Sequence, residues 1–250
     1  MDLDQIERTF VFRTSRCDAN GLWRLSSLLE AMQDTANEHC SLLHAGREEL
    51  REKNLSWVLF KMEMQIDRYP CLGERITVRT YTNGTFFRFC PRYYAVQDEK
   101  GNCICRAGSL WMLMDLTTRK TVSPQQAGIA MPKAPETETQ IRIPTGSPEL
   151  EGQGVCRLYR PQYTDVDVNG HVNNIRYADW LCNSLGIETL RENEIEALTI
   201  DYNYEVLPPD TVESSLIRRE DQFQYYGCVN GKRMFNICGS LRPRKADHQT

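Results

Sequence analysis

Hydrophobic residues in the first half of the chain follow two different periods. Apolar residues three or four positions apart indicate one face of a helix: Leu25, Leu28, Leu29, Met32 and Ala36. From 58 to 67, apolar and polar residues alternate instead, which is typical of a strand with one buried face. We predict a strand at Thr9–Thr14, the helix, and then strands at 58–67, 74–82, 87–98 and 103–115.

The second half repeats this order of elements. A strand at Val155–Tyr159 precedes a helix with apolar residues at helical spacing: Ile175, Ala178, Leu181 and Leu185. Asn173 or Asn174 can cap the start of this helix, and Gly186 is expected to end it. The predicted strands that follow are 196–206, 211–220, 222–230 and 232–242.

Short matching segments indicate that the chain is a divergent duplication. Asp18-Ala-Asn20-Gly precedes the first helix, and Asp167-Val-Asn169-Gly precedes the second, 149 residues later. Three further matches occur in the same order: Pro70 with Pro208, Tyr93-Tyr94 with Tyr225-Tyr226, and Gly108-Ser109-Leu110 with Gly239-Ser240-Leu241. In each copy one helix is followed by a run of strands, which predicts an α+β unit with an antiparallel sheet wrapped around a helix.

The domain prediction follows from the repeat. We expect an N-terminal unit at residues 1–130 and a C-terminal unit at residues 154–250. The intervening residues 131–153 are rich in proline and are predicted to be a linker with partial extended character.

Composition restricts the possible function classes. The chain is 40% hydrophobic and 26% charged, as in an ordinary globular protein, and its net charge of −4 disfavours nucleic-acid binding. No apolar run is long enough to span a bilayer. The acidic N-terminus lacks the features of a signal peptide, so the expected location is cytoplasmic.

The ten cysteines do not form a recognisable metal or redox motif. The sequence has no CxxC pair and no pair of histidines at zinc-ligand spacing. We therefore expect reduced, partly buried thiols, with neither a metal site nor a cofactor.

The sequence around His171 is the strongest candidate for chemistry. Five polar residues surround this histidine at a predicted strand-to-helix turn: Asp165, Asp167, Asn169, Asn173 and Asn174. One interpretation is a polar turn that caps a helix. The other is a site that orients water and polarises a carbonyl, with the Asn169 carboxamide and the helix N-terminus as donors. A carboxylate could act there as general base.

The first copy serves as an internal control for that choice. It retains Asp18 and Asn20, but Leu22 occupies the position of His171, and Arg24 that of Asn173. The Asp-x-Asn-Gly turn is thus explained by structure alone, whereas the added histidine and asparagines are not. One active site per chain, in the second copy, is the favoured hypothesis.

Two segments of the second copy resemble a known family. The run Asp165-Val-Asp-Val-Asn-Gly-His171-Val-Asn-Asn-Ile-Arg-Tyr-Ala-Asp-Trp180 resembles the signature of plant and bacterial acyl-ACP thioesterases. The segment Leu198-Thr-Ile-Asp-Tyr-Asn-Tyr-Glu205-Val206 is similar to a second motif of that family. The resemblance covers nearly the whole chain, including Trp57-Val-Leu and Gly108-Ser-Leu-Trp111.

The resemblance implies a tandem, or double, hotdog fold, in which each copy is a long helix wrapped by an antiparallel sheet. It implies hydrolysis of fatty acyl thioesters of acyl carrier protein, without a cofactor, and an acyl chain held mainly by the N-terminal copy. The family's catalytic residues, carried over to this sequence, are Asp167, Asn169, His171 and Glu205. Asn173 and Asn174 are assigned to substrate binding. Trp57, Met62, Met64 and Met112 are candidates to line the acyl tunnel, although they suit an ordinary core equally well.

One position departs from the family pattern. Plant members usually have a cysteine directly after the glutamate, whereas this chain has Val206. We therefore expect attack by water, directed by Glu205 and His171. Asp167 would orient these groups, and Asn169 with backbone N–H groups would hold the carbonyl.

Other functions of hotdog proteins remain open at this point. They are acyl-CoA hydrolysis, dehydration of 3-hydroxyacyl groups and non-enzymatic acyl binding. A homodimer is possible. Because the carrier protein is acidic, exposed arginines could dock it, and the candidates are Arg218-Arg219 and Arg242-Pro-Arg244-Lys245.

Overall fold

The first of two units contains one long helix and an antiparallel sheet whose strands differ in length. Its elements are β1 (Gln5–Val11), α1 (Leu25–Leu42), α2 (Arg47–Glu52), β2 (Leu55–Ile66), β3 (Arg75–Thr82), β4 (Phe89–Gln97), β5 (Cys103–Asp115) and β6 (Thr121–Val122). The strands pair antiparallel in the order β1-β3-β4-β5-β2, and the short β6 pairs with β5. The helix α1 packs against β1 and β3 and buries apolar residues such as Leu28 and Met32.

The second unit has the same strand order. Its elements are β7 (Val155–Tyr159), α3 (Arg176–Leu185), α4 (Ile187–Glu192), β8 (Asn193–Tyr202), β9 (Val212–Arg219), β10 (Gln222–Val229) and β11 (Lys232–Pro243). The strands pair antiparallel in the order β8-β11-β10-β9-β7. When the five main strands of each unit are numbered in chain order, their order across the sheet is first, third, fourth, fifth and second in both units. This shared topology is the structural counterpart of the sequence repeat.

Aromatic packing and a close backbone contact define the core of the second unit. The ring of Tyr177 on α3 stacks on Phe235 of β11, with centroids 4.2 Å apart. A side chain at Gly239 would place its Cβ 2.3 Å from the carbonyl oxygen of Ala197 and 2.6 Å from the Phe223 ring. Glycine is therefore required there for β8 and β11 to pair while the phenylalanine stays buried.

The computed structural model describes residues 4–133, 144 and 147–244. The chain divides into two compact units, residues 1–145 and 146–250. Much of the predicted linker, 131–153, lies outside the described residues, as does Lys245. No helix in the described part of the chain is both long and apolar enough to cross a membrane.

Several predicted boundaries were wrong. The first strand begins at Gln5 and ends at Val11, because residues Thr14–Arg16 already form a 3-10 turn. Strand β8 ends at Tyr202, so Glu205 lies beyond the strand and not on it. The two six-residue helices α2 and α4 and the two-residue strand β6 were not predicted, since such short elements carry no clear period.

Two of the proposed repeat matches are not in a common register. Tyr93 pairs with Gly108, whereas Tyr225 pairs with Ile237 and Gly239 pairs with Phe223. The Tyr-Tyr and Gly-Ser-Leu matches therefore cannot both mark equivalent positions. The strand order, which does not depend on them, carries the evidence for duplication.

Candidate active site

The Asp-x-Asn-Gly turns of the two units have nearly identical hydrogen bonds. Asp18 Oδ1 accepts from the Asn20 backbone N–H at 2.8 Å, and Asp18 Oδ2 accepts from the Asn20 amide at 3.4 Å. In the second unit, Asp167 Oδ1 accepts from Asn169 N–H at 2.8 Å, and Asp167 Oδ2 accepts from its amide at 3.3 Å. Such bonds stabilise a turn without help from the rest of the site.

The backbone around the two turns also corresponds, and it fixes the alignment of the units. Trp23 N–H donates to the Pro70 carbonyl at 2.9 Å, and Val172 N–H donates to the Val206 carbonyl at 2.9 Å. Val206 is therefore the counterpart of Pro70. The earlier match of Pro70 with Pro208 was shifted by two residues, because it relied on the proline alone.

This alignment places Tyr69 opposite Glu205 and Leu22 opposite His171. In the first unit both side chains are buried, with Leu22 2% and Tyr69 6% exposed. In the second unit His171 Nε2 lies 3.6 Å from Glu205 Oε2, and both side chains are about 30% exposed. The structure thus brings together a histidine and a carboxylate from separate sequence motifs, in a position open to solvent.

The segment that carries Glu205 is held by α3 and by the turn. The Val206 N–H donates to the Tyr177 hydroxyl oxygen, and the Val206 carbonyl accepts from the Val172 N–H. Burial raises the pKa of Tyr177, so its hydroxyl keeps its proton. Val206 itself is fully buried. The backbone of Val206 therefore ties the loop of His171, the helix α3 and the loop of Glu205 together.

Asp167 contacts the turn and not the imidazole. Its two carboxylate oxygens accept from Asn169, and its backbone N–H donates to the His171 carbonyl at 2.8 Å. The contacts of Asp167 are thus with Asn169 and with the His171 backbone, and its orienting role stays a prediction. One N–H of the Asn169 amide is used by this contact, which leaves its second N–H and its oxygen for a ligand.

The N–H groups near the start of α3 are largely occupied. Asn173 N–H donates to Asp165 carbonyl oxygen at 2.8 Å, Ile175 N–H to Asn173 Oδ1 at 3.0 Å, and Arg176 N–H to the Asn173 carbonyl at 2.8 Å. Asn173, not Asn174, therefore supplies the side-chain acceptor at the beginning of the helix. These three N–H groups already have acceptors, and an oxyanion contribution from other backbone N–H groups of the turn stays a prediction.

The first unit contains a cavity that opens to solvent. It is lined by Ala36, Asn37, Cys40, Trp57, Thr82, Cys90, Arg92, Trp111 and Met131. Of the candidates for the acyl tunnel, Trp57 lines this cavity, while Met62 and Met64 are buried in the core. Met112 is partly buried on β5 and is not part of the lining formed by the described residues. Sequence reasoning missed Trp111 and Arg92, whose side chains are brought to α1 only by strand pairing.

The candidate carrier-docking arginines differ in their partners. Arg242 Nη2 lies 2.6 Å from Glu194 Oε1, and Arg244 Nη1 lies 3.7 Å from Glu194 Oε2. Their charge is therefore partly neutralised. Arg218 donates to the Thr189 hydroxyl at 3.0 Å and, like Arg219, is exposed.

Metal and disulfide sites are absent from the described residues. No group of three or more His, Cys, Asp or Glu side chains within residues 4–133, 144 and 147–244 is arranged to hold a metal ion. All ten cysteines are described, and each is a free thiol.

Two hotdog-like units, one of them with a paired histidine and glutamate, define a class of duplicated α+β proteins with a single candidate site. Sequence comparison identifies the family within this class. Residues 4–130 match the acyl-ACP thioesterase N-terminal domain, and residues 149–233 match the acyl-ACP thioesterase C-terminal domain. The chain belongs to the acyl-ACP thioesterase family, as its motifs predicted.

Individual relatives agree with this assignment. A chloroplastic palmitoyl-acyl carrier protein thioesterase of Gossypium hirsutum is 30% identical over 215 residues, which are 79% of this chain and 51% of the relative. The chain thus spans about half the length of this curated relative.

Solved structures confirm the double hotdog fold. An acyl-ACP thioesterase of Bacteroides thetaiotaomicron has a TM-score of 0.85 at 25% identity, covering 97% of this chain and 100% of that one. The 12:0-ACP thioesterase of Umbellularia californica has a TM-score of 0.81 at 20% identity, covering 98% and 99%.

Proposed function

We propose that this protein hydrolyses the thioester of fatty acyl-acyl carrier protein and releases a free fatty acid. The observation that carries the proposal is the 3.6 Å approach of His171 Nε2 to Glu205 Oε2, beside a turn that presents Asn169. A water molecule between an imidazole and a carboxylate can be oriented and deprotonated by them. The family of the chain supports the substrate class.

The roles of the four residues follow from their contacts. Glu205 and His171 orient the attacking water, and the pair accepts its proton and returns one to the thiolate that leaves. The second amide N–H of Asn169 donates to the thioester carbonyl as negative charge develops there. Asp167 is a positioning residue, because its carboxylate holds the Asn169 amide. Asn173 shapes the start of α3, and Asn174 is retained as a substrate-binding candidate.

The cavity of the first unit is proposed to hold the acyl chain. Its walls include the indoles of Trp57 and Trp111 and the thioether of Met131, which favour a hydrocarbon over water. Acyl carrier protein is the proposed partner, and the cytoplasm the proposed location, although the Gossypium relative is named as chloroplastic. Formation of a homodimer stays a prediction.

A panel of acyl-ACP substrates, assayed for released thiol beside the matching acyl-CoA esters, tests the activity. We expect hydrolysis, with acyl-ACP preferred. Faster turnover of acyl-CoA would assign the protein to that substrate class instead. Enoyl product from 3-hydroxyacyl-ACP would indicate a dehydratase, and binding without turnover would indicate an acyl-binding protein.

The variant Glu205→Gln tests the site itself. It keeps the size of the side chain but cannot accept the proton of water, so kcat is expected to fall by at least about 10²-fold. Tyr69→Phe, at the equivalent position of the first unit, is the matched control. Near-normal kcat in folded Glu205→Gln would remove this residue from the mechanism.

A further inference from the structure

The cavity of the first unit contains a buried positive charge. Arg92 on β4 is only 3% exposed and lines the cavity. Its Nη1 lies 2.9 Å from His39 Nδ1 and 3.2 Å from the Thr80 hydroxyl, and its Nη2 lies 3.2 Å from Cys40 Sγ. Among the described residues, these partners include no carboxylate.

Two of the three partners are neutral acceptors. A guanidinium only donates, so His39 Nδ1 accepts, and the imidazole carries its single proton on Nε2. The Thr80 hydroxyl donates to the Tyr93 carbonyl at 3.0 Å and accepts from Arg92. A buried charge is costly without a counter-ion. Cys40 is the remaining contact, and its thiol is the group that can become an anion.

We propose that Cys40 is a covalent modification site for alkyl-chain electrophiles of the α,β-unsaturated carbonyl class, with Arg92 beside its sulfur to stabilise the thiolate that forms as it attacks. Arg92 donates to the sulfur, and a thiolate accepts a charge-assisted hydrogen bond more strongly than a thiol. Reactive cysteines occur in electropositive, partly exposed positions, and Cys40 is partly exposed.

The cavity supplies selectivity for the alkyl chain. Cys40 shares it with Trp57, Trp111 and Met131, whose apolar surfaces favour a hydrocarbon tail. Cys90 lines the same cavity but is buried, and burial raises its pKa to about 12. Cys90 therefore remains a thiol, and it is the matched internal control for Cys40.

The reaction is a conjugate addition. The Cys40 sulfur attacks the β-carbon and forms a carbon–sulfur bond, while the π electrons of the carbon–carbon double bond move to the carbonyl as an enolate. Water takes the proton that the Cys40 thiol gives up, and a proton from water is delivered to the α-carbon. No oxidant is required, and the product is a neutral thioether.

Mass spectrometry of the intact, folded protein tests the proposal. At pH 7, 1-octen-3-one in slight excess is expected to modify Cys40 at least about tenfold faster than Cys90 and faster than Cys156, which is exposed. The variant Arg92→Met should slow the modification of Cys40 by about tenfold or more, while Arg92→Lys should keep much of the wild-type rate.

A Cys40 rate that is no faster than that of Cys156 would overturn the proposal. This wild-type comparison is decisive even if Arg92→Met fails to fold. Labelling is read by mass and does not depend on the proposed thioesterase activity. If the thioesterase activity also holds, the activity of the wild-type protein should fall in proportion to the fraction of Cys40 that is modified. The activity of Cys40→Ser should not fall on exposure to the same reagent.

Discussion

The turns at Asp18 and Asp167 have the same backbone but different surroundings. Both carboxylates bind the asparagine two residues later with matching distances. Leu22 and Tyr69 close the first turn against the core, whereas His171 and Glu205 leave the second open to solvent. The comparison separates the residues that stabilise the turn from the residues that could take part in a reaction there. The turn needs only aspartate, asparagine and glycine.

The largest predicted difference comes from paired truncations at the equivalent positions. His171→Ala should lower kcat by about 10²-fold or more while changing stability little, because the side chain is partly exposed. Leu22→Ala should destabilise the protein by about 2–5 kcal/mol, as for a buried leucine, and leave the kcat of the folded fraction nearly unchanged. Steady-state kinetics and urea unfolding measure the two effects. Equal losses of kcat in the two variants would contradict the assignment of catalysis to the second turn alone.

Truncating the aspartates should sharpen the same comparison. Asp18→Ala removes three hydrogen bonds of its turn, including one from the Leu22 N–H, and Asp167→Ala removes two, so each should cost about 1–2 kcal/mol of unfolding free energy. Only Asp167→Ala should also lower kcat, by about tenfold, since it releases the Asn169 amide. Thermal unfolding and kinetics of both variants decide this. An equal effect of Asp18→Ala on kcat would show that the turns are not independent.

A smaller effect is expected from Tyr177→Phe. The variant removes the hydroxyl that accepts from the Val206 N–H but keeps the ring that stacks on Phe235. Stability should fall by about 1 kcal/mol, and kcat should fall several-fold with little change in KM, because the loop of Glu205 is less well held. A change in KM alone would argue against a positioning role.

The smallest effect concerns carrier binding. Replacing Arg218 and Arg219 with glutamate should raise KM for acyl-ACP about threefold or more and leave KM for acyl-CoA unchanged. Arg242→Glu is the comparison variant, since Arg242 already pairs with Glu194. An equal rise in both Michaelis constants would exclude Arg218 and Arg219 from docking.

The sequence predicted the long elements and the family, but not the local geometry. Helix α1 and strand β5 were predicted closely, because a period repeated over many residues averages out single exceptions. The position of Glu205 beyond β8 was missed, since the pattern of a strand does not show where its pairing stops. The contact of Arg92 with Cys40 joins residues 52 positions apart and depends on the register of β4 with its neighbours.

The hydrogen bonds of the turn at Asp18 have consequences for evolution. That turn persists in a unit that has Leu22 at the position of His171, so selection for folding alone is sufficient to maintain Asp-x-Asn-Gly. In a descendant that is no longer selected for activity, residues 171 and 205 would be expected to change first. Such a protein would still fold and accumulate. Searches for active members of such lineages should therefore score those two positions and give the tetrapeptide little weight.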